Sequence, residues 1–570
     1  MCVETKQGRL CGMTGKDICR EAYPEPEDGR NVDCPGLSAI NPLMGLDYPD
    51  PDIIRVGDTY YMVSTSMHFM PGCEILRSYD LVNWEHAVYV YDTLDGTPEQ
   101  KMDGEHHIYG KGMWAASLRF HGDMFYVCFA ANDTGKTYLY TADAIAGPWK
   151  KQNVEGFYHD GSLLFDEGKV YIAYGNSDIY ITQLKPDLSG PLPGGLHRLA
   201  VSDAGNPQLG YEGAHFYKIE GRYYLFLIHS LRDRWMRTQA CFVSDSIDGE
   251  FTGGDVLEDD RGYCGQGVAQ GGIVDTPDQK WYAVLFQDYG AAGRIPVLVP
   301  VAWKEGYPVF GAGGKIPGQF GLPHSEKPGY GYRPLVQSDD FRKEQGLSAE
   351  QETERFGCYG FRSVWQFSHE PDLRLVGHDG NHGILWMETG KLCKNLLQAK
   401  NILTQRMLYP ACAGEITVDV CALKEGDYAG ICALQGCYGM VAVTKRADGH
   451  YEAVMKSRTA EDDSLSVMSE DMGEGTEWES VPVERTEVRL KVDVDFGQQK
   501  DEARFFYHTG SGWKKIGITQ KLYFKLDHFT GCRFGLFVYA TKETGGRAGF
   551  RDFQYRTVVN GWHLDRCPQG

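Results

Sequence analysis

Three acidic residues hold the same position in a pattern that repeats along the chain. Asp50, Asp160 and Glu212 each lie eleven residues before an aromatic residue of a short aromatic run. Equivalent positions of a repeat fold converge in space, so these carboxylates are expected to meet. Like charges that are held close together raise the pKa of at least one member. A protonated acid that faces an ionised base is the pair needed to cleave a glycosidic bond.

The repeat itself is a predicted β-hairpin. Its first copy, residues 48–62, consists of an apolar strand, a Gly-Asp turn and an aromatic strand, which is a pattern typical of hairpins. Trp114 and Gln270 occupy the position of the acidic residue in the two remaining copies. The four later aromatic strands lie at 125–127, 170–172, 223–225 and 281–283.

A second signature, a polar turn with an aromatic anchor, follows several of the hairpins. It is clearest at residues 78–84, 141–149 and 244–251. Two signatures in each repeat correspond to about four short strands, which is typical of a propeller blade. Residue spacing alone leaves a two-sheet β fold open, but five hairpins in one register favour radial repetition. We therefore predict a five-bladed β-propeller over residues 38–323.

The chain beyond the propeller has a different pattern. Its strand-like runs alternate apolar and polar residues, which indicates half-buried antiparallel strands of a β-sandwich. A short linker predicts that this sandwich docks on the propeller and borders its central funnel. The strand-like runs are 415–423, 428–435, 438–445, 487–496, 504–507, 533–541 and 548–556.

The predicted fold class is therefore all-β, because no strong helix is indicated anywhere. A five-bladed β-propeller is followed by a β-sandwich of the jelly-roll, concanavalin-like kind. The predicted segments are an N-terminal arm (1–37), the propeller (38–323), a linker (324–335), the sandwich (336–558) and a C-terminal tail (559–570).

Length and charge narrow the function classes. A chain of 570 residues exceeds one ordinary core, so two domains are expected. The formal net charge of −21 argues against a nucleic-acid partner, because phosphates would be repelled. No apolar run reaches the roughly 20 residues of a membrane helix, so no membrane association is expected. The first residues lack a Sec-type signal pattern, and the expected compartment is the cytoplasm.

The 16 cysteines are scattered and form no recognisable framework. Cys128, Cys241 and Cys421 lie in apolar, strand-like runs and are predicted to be buried, reduced thiols. The spacing of the N-terminal group matches no zinc signature. That group consists of Cys2, Cys11, Cys19 and Cys34.

Each candidate residue also has an ordinary structural interpretation. Asp50 lies in a Pro-Asp-Pro sequence that suits a turn, and Glu212 suits a surface acid at the end of a strand. Trp114 fits equally well in the core or as a platform on which a sugar stacks. Because burial of three carboxylates without basic partners is costly, their shared position favours a functional role.

Taken together, the motifs resemble those of glycoside hydrolase family 43. Residues 48–61 and 78–84 resemble the opening of that family, while 159–163 and 211–215 are similar to its second and third acidic motifs. The likeness covers nearly the whole chain, since some members carry a C-terminal β-sandwich after the propeller. The set of motifs is specific, although each motif alone is weak.

Residues 271–276 and 286–296 resemble the family branch that is rich in α-L-arabinofuranosidases and β-xylosidases. This resemblance implies an inverting exo-glycosidase. Asp50 would be the general base that activates water, and Glu212 the general acid that protonates the leaving oxygen. Asp160 would orient Glu212 and keep it protonated.

The resemblance also implies a sugar subsite. Arg294 would contact the terminal sugar and Trp114 would line the same subsite, with His159 and Gln270 as further substrate-binding residues. Gln270 stands where many members have a calcium-binding histidine. No cofactor or catalytic metal is therefore expected, and a structural calcium in the channel is left open.

The leading hypothesis is an α-L-arabinofuranosidase that acts on arabinoxylan, arabinan or xyloglucan oligosaccharides. The first alternative is an exo-β-1,4-xylosidase or a bifunctional arabinofuranosidase/xylosidase, because the two sugars present similar ring-oxygen and hydroxyl geometry. A non-catalytic carbohydrate-binding propeller is an alternative of another class, but it would be expected to have lost at least one of the three acids. The sequence leaves the preferred linkage and the oligomeric state open.

Overall fold

The computed structural model describes residues 37–557 except 323–324, 345, 347–356, 358, 459–472, 523 and 527. The predicted N-terminal arm, apart from residue 37, and the predicted tail lie outside the described residues. Cys2, Cys11, Cys19 and Cys34 lie outside them as well.

The first part of the chain forms a five-bladed β-propeller. Each blade is a four-stranded antiparallel sheet whose strands follow one another in sequence order. The first strands of neighbouring blades contact one another and so surround the axis. The blades are β2–β5 (Asp52–Val56, Thr59–Val63, Gly72–Ser78, Glu85–Tyr91), β6–β9 (Met113–His121, Met124–Ala131, Lys136–Ala142, Lys150–Val154), β10–β13 (Ser162–Asp166, Lys169–Asn176, Asp178–Leu184, His197–Ser202), β14–β17 (Glu212–Ile219, Arg222–Ser230, Arg237–Ser244, Thr252–Leu257) and β18–β21 (Ile273–Asp275, Trp281–Asp288, Arg294–Lys304, Tyr307–Phe310).

The two ends of the propeller are joined outside the blades. No described blade mixes strands from both ends of the domain. Instead β1 (Ser38–Ile40) pairs with β22 (Gln319–Gly321). The side chain of Asn41 exchanges hydrogen bonds with the backbone of Leu298, at 2.7 and 2.9 Å. The ring of blades is therefore closed by these short contacts between its two ends and by contacts between the blades at the axis.

A β-sandwich of two seven-stranded sheets follows. Alternate side chains of both sheets fill its core, as the apolar–polar alternation predicted. One sheet has the order β23-β26-β35-β28-β29-β30-β31, formed by Gln366–Phe367, Leu403–Arg406, Arg533–Ala540, Asp427–Leu434, Tyr438–Lys445, Tyr451–Arg458 and Thr476–Val483. The other has the order β24-β25-β36-β27-β32-β33-β34, formed by Val376–Asp379, Ile384–Glu388, Arg547–Thr557, Ala411–Ala422, Glu487–Asp495, Glu502–His508 and Trp513–Lys521.

The sandwich docks directly on the propeller, as predicted. Met70 and Phe367 exchange backbone hydrogen bonds of 2.9 and 2.7 Å across the interface. The Arg406 guanidinium of the sandwich donates to Glu74 at 2.7 Å, and both side chains are buried. One apolar cluster contains residues of both domains. The two domains therefore share a core.

The linker also packs against the propeller instead of spanning free space. The backbone N–H of Tyr79 donates to the hydroxyl of Tyr332 at 2.9 Å. The hydroxyl of Tyr330 donates to Glu85 at 2.7 Å. These contacts fix the path of the chain from the last blade to the sandwich.

The cysteine prediction is partly wrong. Cys128 and Cys241 are buried free thiols, whereas Cys421 is exposed. Cys421 lies near the end of β27, where the alternation of the strand turns its side chain outward. Within the described ranges, no helix is long and apolar enough to cross a bilayer.

Candidate active site

Three predicted site residues hold an unusual backbone conformation. Asp50, Asp160 and Gln270 have positive φ angles of 50°, 47° and 53°, which side chains other than glycine rarely adopt. Each lies shortly before the first strand of its blade, β2, β10 or β18. Such strain costs about 1–3 kcal/mol per residue and concentrates at functional sites. The left-handed turn bends the chain so that these side chains point toward the axis.

The other two equivalent residues reach the axis by a different device. Trp114 lies at the start of β6 and Glu212 is the first residue of β14. The pairing of each strand shifts there, between Met113 and Ala116 and between Glu212 and His215. Such β-bulges re-aim a side chain. The five equivalent positions thus converge, but through two kinds of local geometry.

All seven predicted site residues line one pocket of about 230 Å³ at the end of the propeller axis. A water molecule occupies about 30 Å³ in the liquid, so the pocket has the size of one small polar ligand. Its complete lining is Asp50, Trp114, His159, Asp160, Asn176, Leu209, Glu212, Trp235, Arg237, Gln270, Arg294, Leu526 and Phe529.

Asp50 is held by two donors. Arg294 Nη1 donates to its Oδ1 at 2.6 Å, and Thr65 Oγ1 donates to its Oδ2 at 2.7 Å. The Arg294 guanidinium is stacked between Phe286 and Phe529, with centroid distances of 4.5 and 3.9 Å. Both donors favour the charged carboxylate. Asp50 is therefore suited to accept a proton from a water molecule.

Asp160, His159 and Glu212 form a tight group. Their potential ligand atoms lie within 4.8 Å of one another. The carboxylate of Asp160 raises the pKa of His159 to about 9, although burial acts in the opposite direction. Burial raises the pKa of Asp160 to about 6, with a further rise from Glu212 and an opposing effect from His159. A cationic imidazole therefore lies beside two acids at neutral pH.

Glu212 is the least enclosed of the three acids. Its carboxylate is 21 % exposed, compared with 3 % for Asp50 and 9 % for Asp160. Asn176 Nδ2 donates to Glu212 Oε2 at 2.8 Å, and His159 Nε2 lies 3.7 Å from the same oxygen. An acid that reaches the pocket from its wall and remains accessible is suited to deliver a proton to an incoming group.

Beneath the pocket, a buried guanidinium closes the propeller axis. Arg119 of β6 donates to Asp52 Oδ2 at 2.6 Å. It also donates to Ser162 Oγ at 2.7 Å and to the carbonyl oxygen of Leu163 at 2.8 Å. Its Nη2 also donates to the carbonyl oxygen of Phe216 in blade four at 3.5 Å. Arg119 of blade two thus contacts the first strands of blades one, three and four, which places its guanidinium at the axis.

The remaining two blades join the same group through Tyr217. Its hydroxyl donates to Asp52 Oδ1 at 3.4 Å and accepts from the backbone N–H of Ile273 at 3.2 Å. His215 Nε2 lies 3.7 Å from Asp52 Oδ1, and burial lowers the pKa of this histidine so that it is neutral. We call Asp52, Arg119, Ser162, His215 and Tyr217 the channel floor. The channel floor links all five blades and fills the propeller axis below the pocket.

The sandwich supplies one wall of the pocket. Phe529 is 7 % exposed and lies against Arg294, and its ring meets that of Trp114 edge-on at 6.0 Å. Leu526 from the same loop is half exposed at the mouth. The predicted contact between sandwich and funnel is thus confirmed. The pocket is incomplete without the second domain.

Comparison with known proteins matches both domains. The propeller matches the model for glycosyl hydrolases family 43 over residues 39–308. The sandwich matches the model for the β-xylosidase C-terminal concanavalin A-like domain over residues 356–556. The chain belongs to glycoside hydrolase family 43. Its general activity is accordingly hydrolysis of glycosidic bonds.

Individual relatives within family 43 carry different names. A β-xylosidase of Formosa agariphila is 26% identical, with 90% of each chain covered. A non-reducing end α-L-arabinofuranosidase of Bacteroides ovatus is 28% identical over 61% of this chain and 66% of its own. A structure described as a bifunctional GH43-CE protein of Bacteroides eggerthii has a TM-score of 0.82 at 40% identity. That match covers 92% of this chain, which spans 64% of the longer protein.

The calcium that the family resemblance left open does not fit the donors around this channel. A Ca²⁺ ion takes six to eight oxygen ligands. Among the described residues, the candidate metal group is His159, Asp160 and Glu212, and it offers one ligand atom from each residue, of which only two are oxygens. The Gln270 side chain instead packs over Gly213, where an added Cβ would meet its Cδ at 2.6 Å. A guanidinium already lies across the axis below.

Several residues that line the pocket or hold its acids were not predicted from the sequence. Thr65 and Asn176 lie at the ends of strands other than the first strand of a blade, so the repeat register does not reveal them. Arg237, which hydrogen-bonds to Asp288, begins the third strand of blade four. Phe529 belongs to the other domain. None of these positions has a local sequence signal that distinguishes it from an ordinary turn or core residue.

Proposed function

We propose that this chain is an inverting exo-glycosidase that releases terminal α-L-arabinofuranose from hemicellulose-derived oligosaccharides. Arabinoxylan, arabinan and xyloglucan fragments are the proposed sources. One observation carries the proposal. Three carboxylates from blades one, three and four line a single small pocket, which is closed below by the channel floor and at one side by Phe529.

The closed shape supports action at chain ends. A polymer that passes through the site needs an open cleft, whereas the axis below this pocket is filled by the buried, hydrogen-bonded side chains of Asp52 and Arg119. A terminal sugar can enter with its non-reducing end first. The scissile bond then lies toward the mouth, where Glu212 is accessible and Leu526 is exposed.

The roles of the acids follow from their partners. Asp50, which is held by the donors Arg294 and Thr65, activates a water molecule at the anomeric carbon. Glu212 protonates the leaving oxygen from the mouth side. Asp160 lies against the backbone N–H of Gly213 at 3.1 Å and orients the acid next to it. Asp50 and Glu212 come from blades one and four, which are not neighbours in the ring, so we expect a separation of roughly 6.5–9.5 Å, which leaves space for water between base and sugar.

A β-xylosidase is the second candidate, because the sandwich matches a β-xylosidase C-terminal domain and several relatives bear that name, two of them as putative β-xylosidases. Hydrolysis of nitrophenyl α-L-arabinofuranoside and nitrophenyl β-D-xyloside, assayed side by side, separates the two. We expect the higher kcat/KM on the arabinofuranoside, and a higher value on the xyloside would select the second candidate. The absence of hydrolysis of either would favour a carbohydrate-binding propeller.

The stereochemical outcome tests the mechanism. Direct displacement by water inverts the anomeric centre, so an α-L-arabinofuranoside should first yield β-arabinose. NMR spectra recorded in the first minutes of the reaction distinguish the two anomers before mutarotation. Initial α-product, or transfer of the sugar to added methanol, would contradict the role of Asp50 as the base.

A further inference from the structure

The turn between β11 and β12 lies against both acidic motifs. Only Ser177 separates the two strands, and it has a φ of 66°. Its backbone N–H donates to the carbonyl oxygen of Tyr211 at 2.7 Å, directly before Glu212. The N–H of Gly175 donates to the carbonyl oxygen of His159 at 3.1 Å, directly before Asp160. The turn is therefore fixed relative to both acids.

Asn176 is the last residue of β11, and its side-chain amide contacts Glu212 in one defined orientation. Ser177 Oγ donates to Asn176 Oδ1 at 3.3 Å, which orients the amide with its NH₂ group outward. The NH₂ group then donates to Glu212 Oε2 at 2.8 Å. The only other group that the structure places near this oxygen in the described site, the protonated imidazole of His159 at 3.7 Å, is also a donor.

We propose that Asn176 is a positioning residue that determines which oxygen of the general acid carries the proton. This inference rests on the proposed function. An oxygen that faces an amide donor and an imidazolium can only accept, so Oε2 is the unprotonated oxygen of the acid form. The transferable proton is then on Oε1. Asn176 thereby directs Oε1 toward the leaving-group oxygen.

The proton balance of the step is simple. Oε1–H transfers its proton to the glycosidic oxygen as the bond to the anomeric carbon breaks, and Glu212 is left as a carboxylate. The Asn176 amide stabilises that carboxylate through Oε2. The contact is consequently stronger after proton transfer than before it, which favours the transition state over the ground state.

Two substitutions of Asn176 test the inference. Asn176→Ala removes the donor, and kcat/KM on an arabino-oligosaccharide should fall about tenfold. Without the donor the acid form persists to higher pH, so the alkaline limb of the pH profile should move upward. Asn176→Asp places an acceptor opposite Oε2 and draws the proton to the wrong oxygen. Its loss should be about 100-fold, while nitrophenyl arabinofuranoside, which needs little protonation, should lose less than about threefold.

Ser202→Ala is the matched control. Ser202 of β13 lies in the same blade, and its Oγ donates to Asp178 of β12 at 2.5 Å without a described contact to the acids, so kinetics and pH profile should equal those of the wild type. Equal losses on both substrates, or an unmoved alkaline limb, would show that Asn176 only binds substrate and would overturn the inference alone. A wild-type protein inactive on every pentoside would overturn the proposed function and this inference with it.

Discussion

Asp50 and Asp52 are separated by one proline, yet they belong to two very different environments. Asp52 accepts from the backbone N–H groups of Ile53 and Leu118 and from the Arg119 side chain, at 3.1, 2.8 and 2.6 Å. Asp50 accepts from two side chains, and one of them extends into the pocket. Both carboxylates are buried. Burial alone therefore does not distinguish an acid that reacts from one that holds the fold.

The difference lies in how completely the oxygens are satisfied. In the channel floor, each oxygen of Asp52 accepts two hydrogen bonds: Oδ1 from Ile53 and Tyr217, and Oδ2 from Leu118 and Arg119. In the pocket, each oxygen of Asp50 accepts one described hydrogen bond, and Asp160 accepts one in all, from Gly213 at 3.1 Å. An acid with free acceptor capacity can exchange a proton or meet a ligand, whereas a saturated one cannot without breaking the structure.

The largest loss of activity is expected when Asp50, but not Asp52, is replaced. Asp50→Asn should lower kcat by about 10³-fold or more, because the amide cannot take the proton from water. The thermal unfolding midpoint should fall less than in Asp52→Asn, since the amide can still accept from Thr65 and the buried Arg294 keeps Asp288, whose Oδ1 lies 3.5 Å from its Nε, as a counter-charge. Kinetics on nitrophenyl arabinofuranoside and a thermal melt of the same preparation check both parts. Retention of more than a tenth of the activity would remove Asp50 from the mechanism.

Replacement of Glu212 should affect two kinds of substrate to different extents. Glu212→Ala should lower kcat/KM by about 10²–10³-fold on oligosaccharides, whose leaving groups need a proton. Nitrophenyl substrates should lose much less, because the nitrophenolate leaves unaided. The ratio of the two losses is the measurement. Equal losses would argue that Glu212 only shapes the site.

Replacement of a channel-floor residue should instead lower stability and leave the catalytic preference unchanged. Asp52→Asn leaves the Arg119 guanidinium buried without a counter-charge, which costs about 3–5 kcal/mol. The unfolding midpoint should fall, while the remaining folded enzyme should keep the leaving-group preference of the wild type. The double variant Asp52→Asn, Arg119→Met should regain part of the stability. An unchanged midpoint in the single variant would contradict the closure role of the floor.

The two histidines differ in how their contributions depend on pH. The pKa of His159 is raised to about 9 by Asp160, so its protonation stabilises the fold below about 6.5, and that stabilisation is lost as the pH rises through 9. At pH 6, His159→Gln should therefore cost about 2–3 kcal/mol, and the cost should vanish above pH 9. Burial lowers the pKa of His215, so the cost of His215→Gln should be constant between pH 6.5 and 9. Thermal unfolding of both variants and the wild type, measured between pH 6 and about 9, tests whether the two costs differ in this way.

The smallest expected effect is that of chelation. Since a guanidinium lies across the axis and Gln270 replaces a histidine ligand, dialysis against EDTA should leave kcat and the unfolding midpoint within about 20 % and 1 °C of the untreated enzyme. Addition of calcium should restore nothing. A loss on chelation that calcium reverses would reveal an ion that the donor set does not indicate.

Much of this architecture was predictable because the propeller repeats. Five aromatic hairpins located the five blades, and the common offset located Asp50, Asp160 and Glu212. The offset succeeded for a reason that the sequence does not show. Trp114 and Glu212 lie one residue farther from the ends of their strands than Asp50 and Asp160 do. The β-bulges at these two positions absorb the extra residue.

The sandwich was predicted less completely for a physical reason. Strongly alternating or apolar strands such as Glu487–Asp495 and Arg533–Ala540 were found, whereas Ile384–Glu388 and Tyr451–Arg458 were missed. Thr476–Val483 was missed, because this edge strand is mostly exposed and lacks an apolar face. Phe529 was missed because its partners, Arg294 and Trp114, lie in the other domain. Contacts between distant segments leave no local pattern.

The channel floor has a consequence for turnover. A pocket with one opening admits and releases everything through the same mouth, which Leu526 borders. Under the proposed function, the shortened oligosaccharide must depart before the freed sugar can follow. The enzyme would therefore be fully non-processive, dissociating after each bond is cut. Free monosaccharide should inhibit competitively, because it returns to the innermost position and blocks the next chain end.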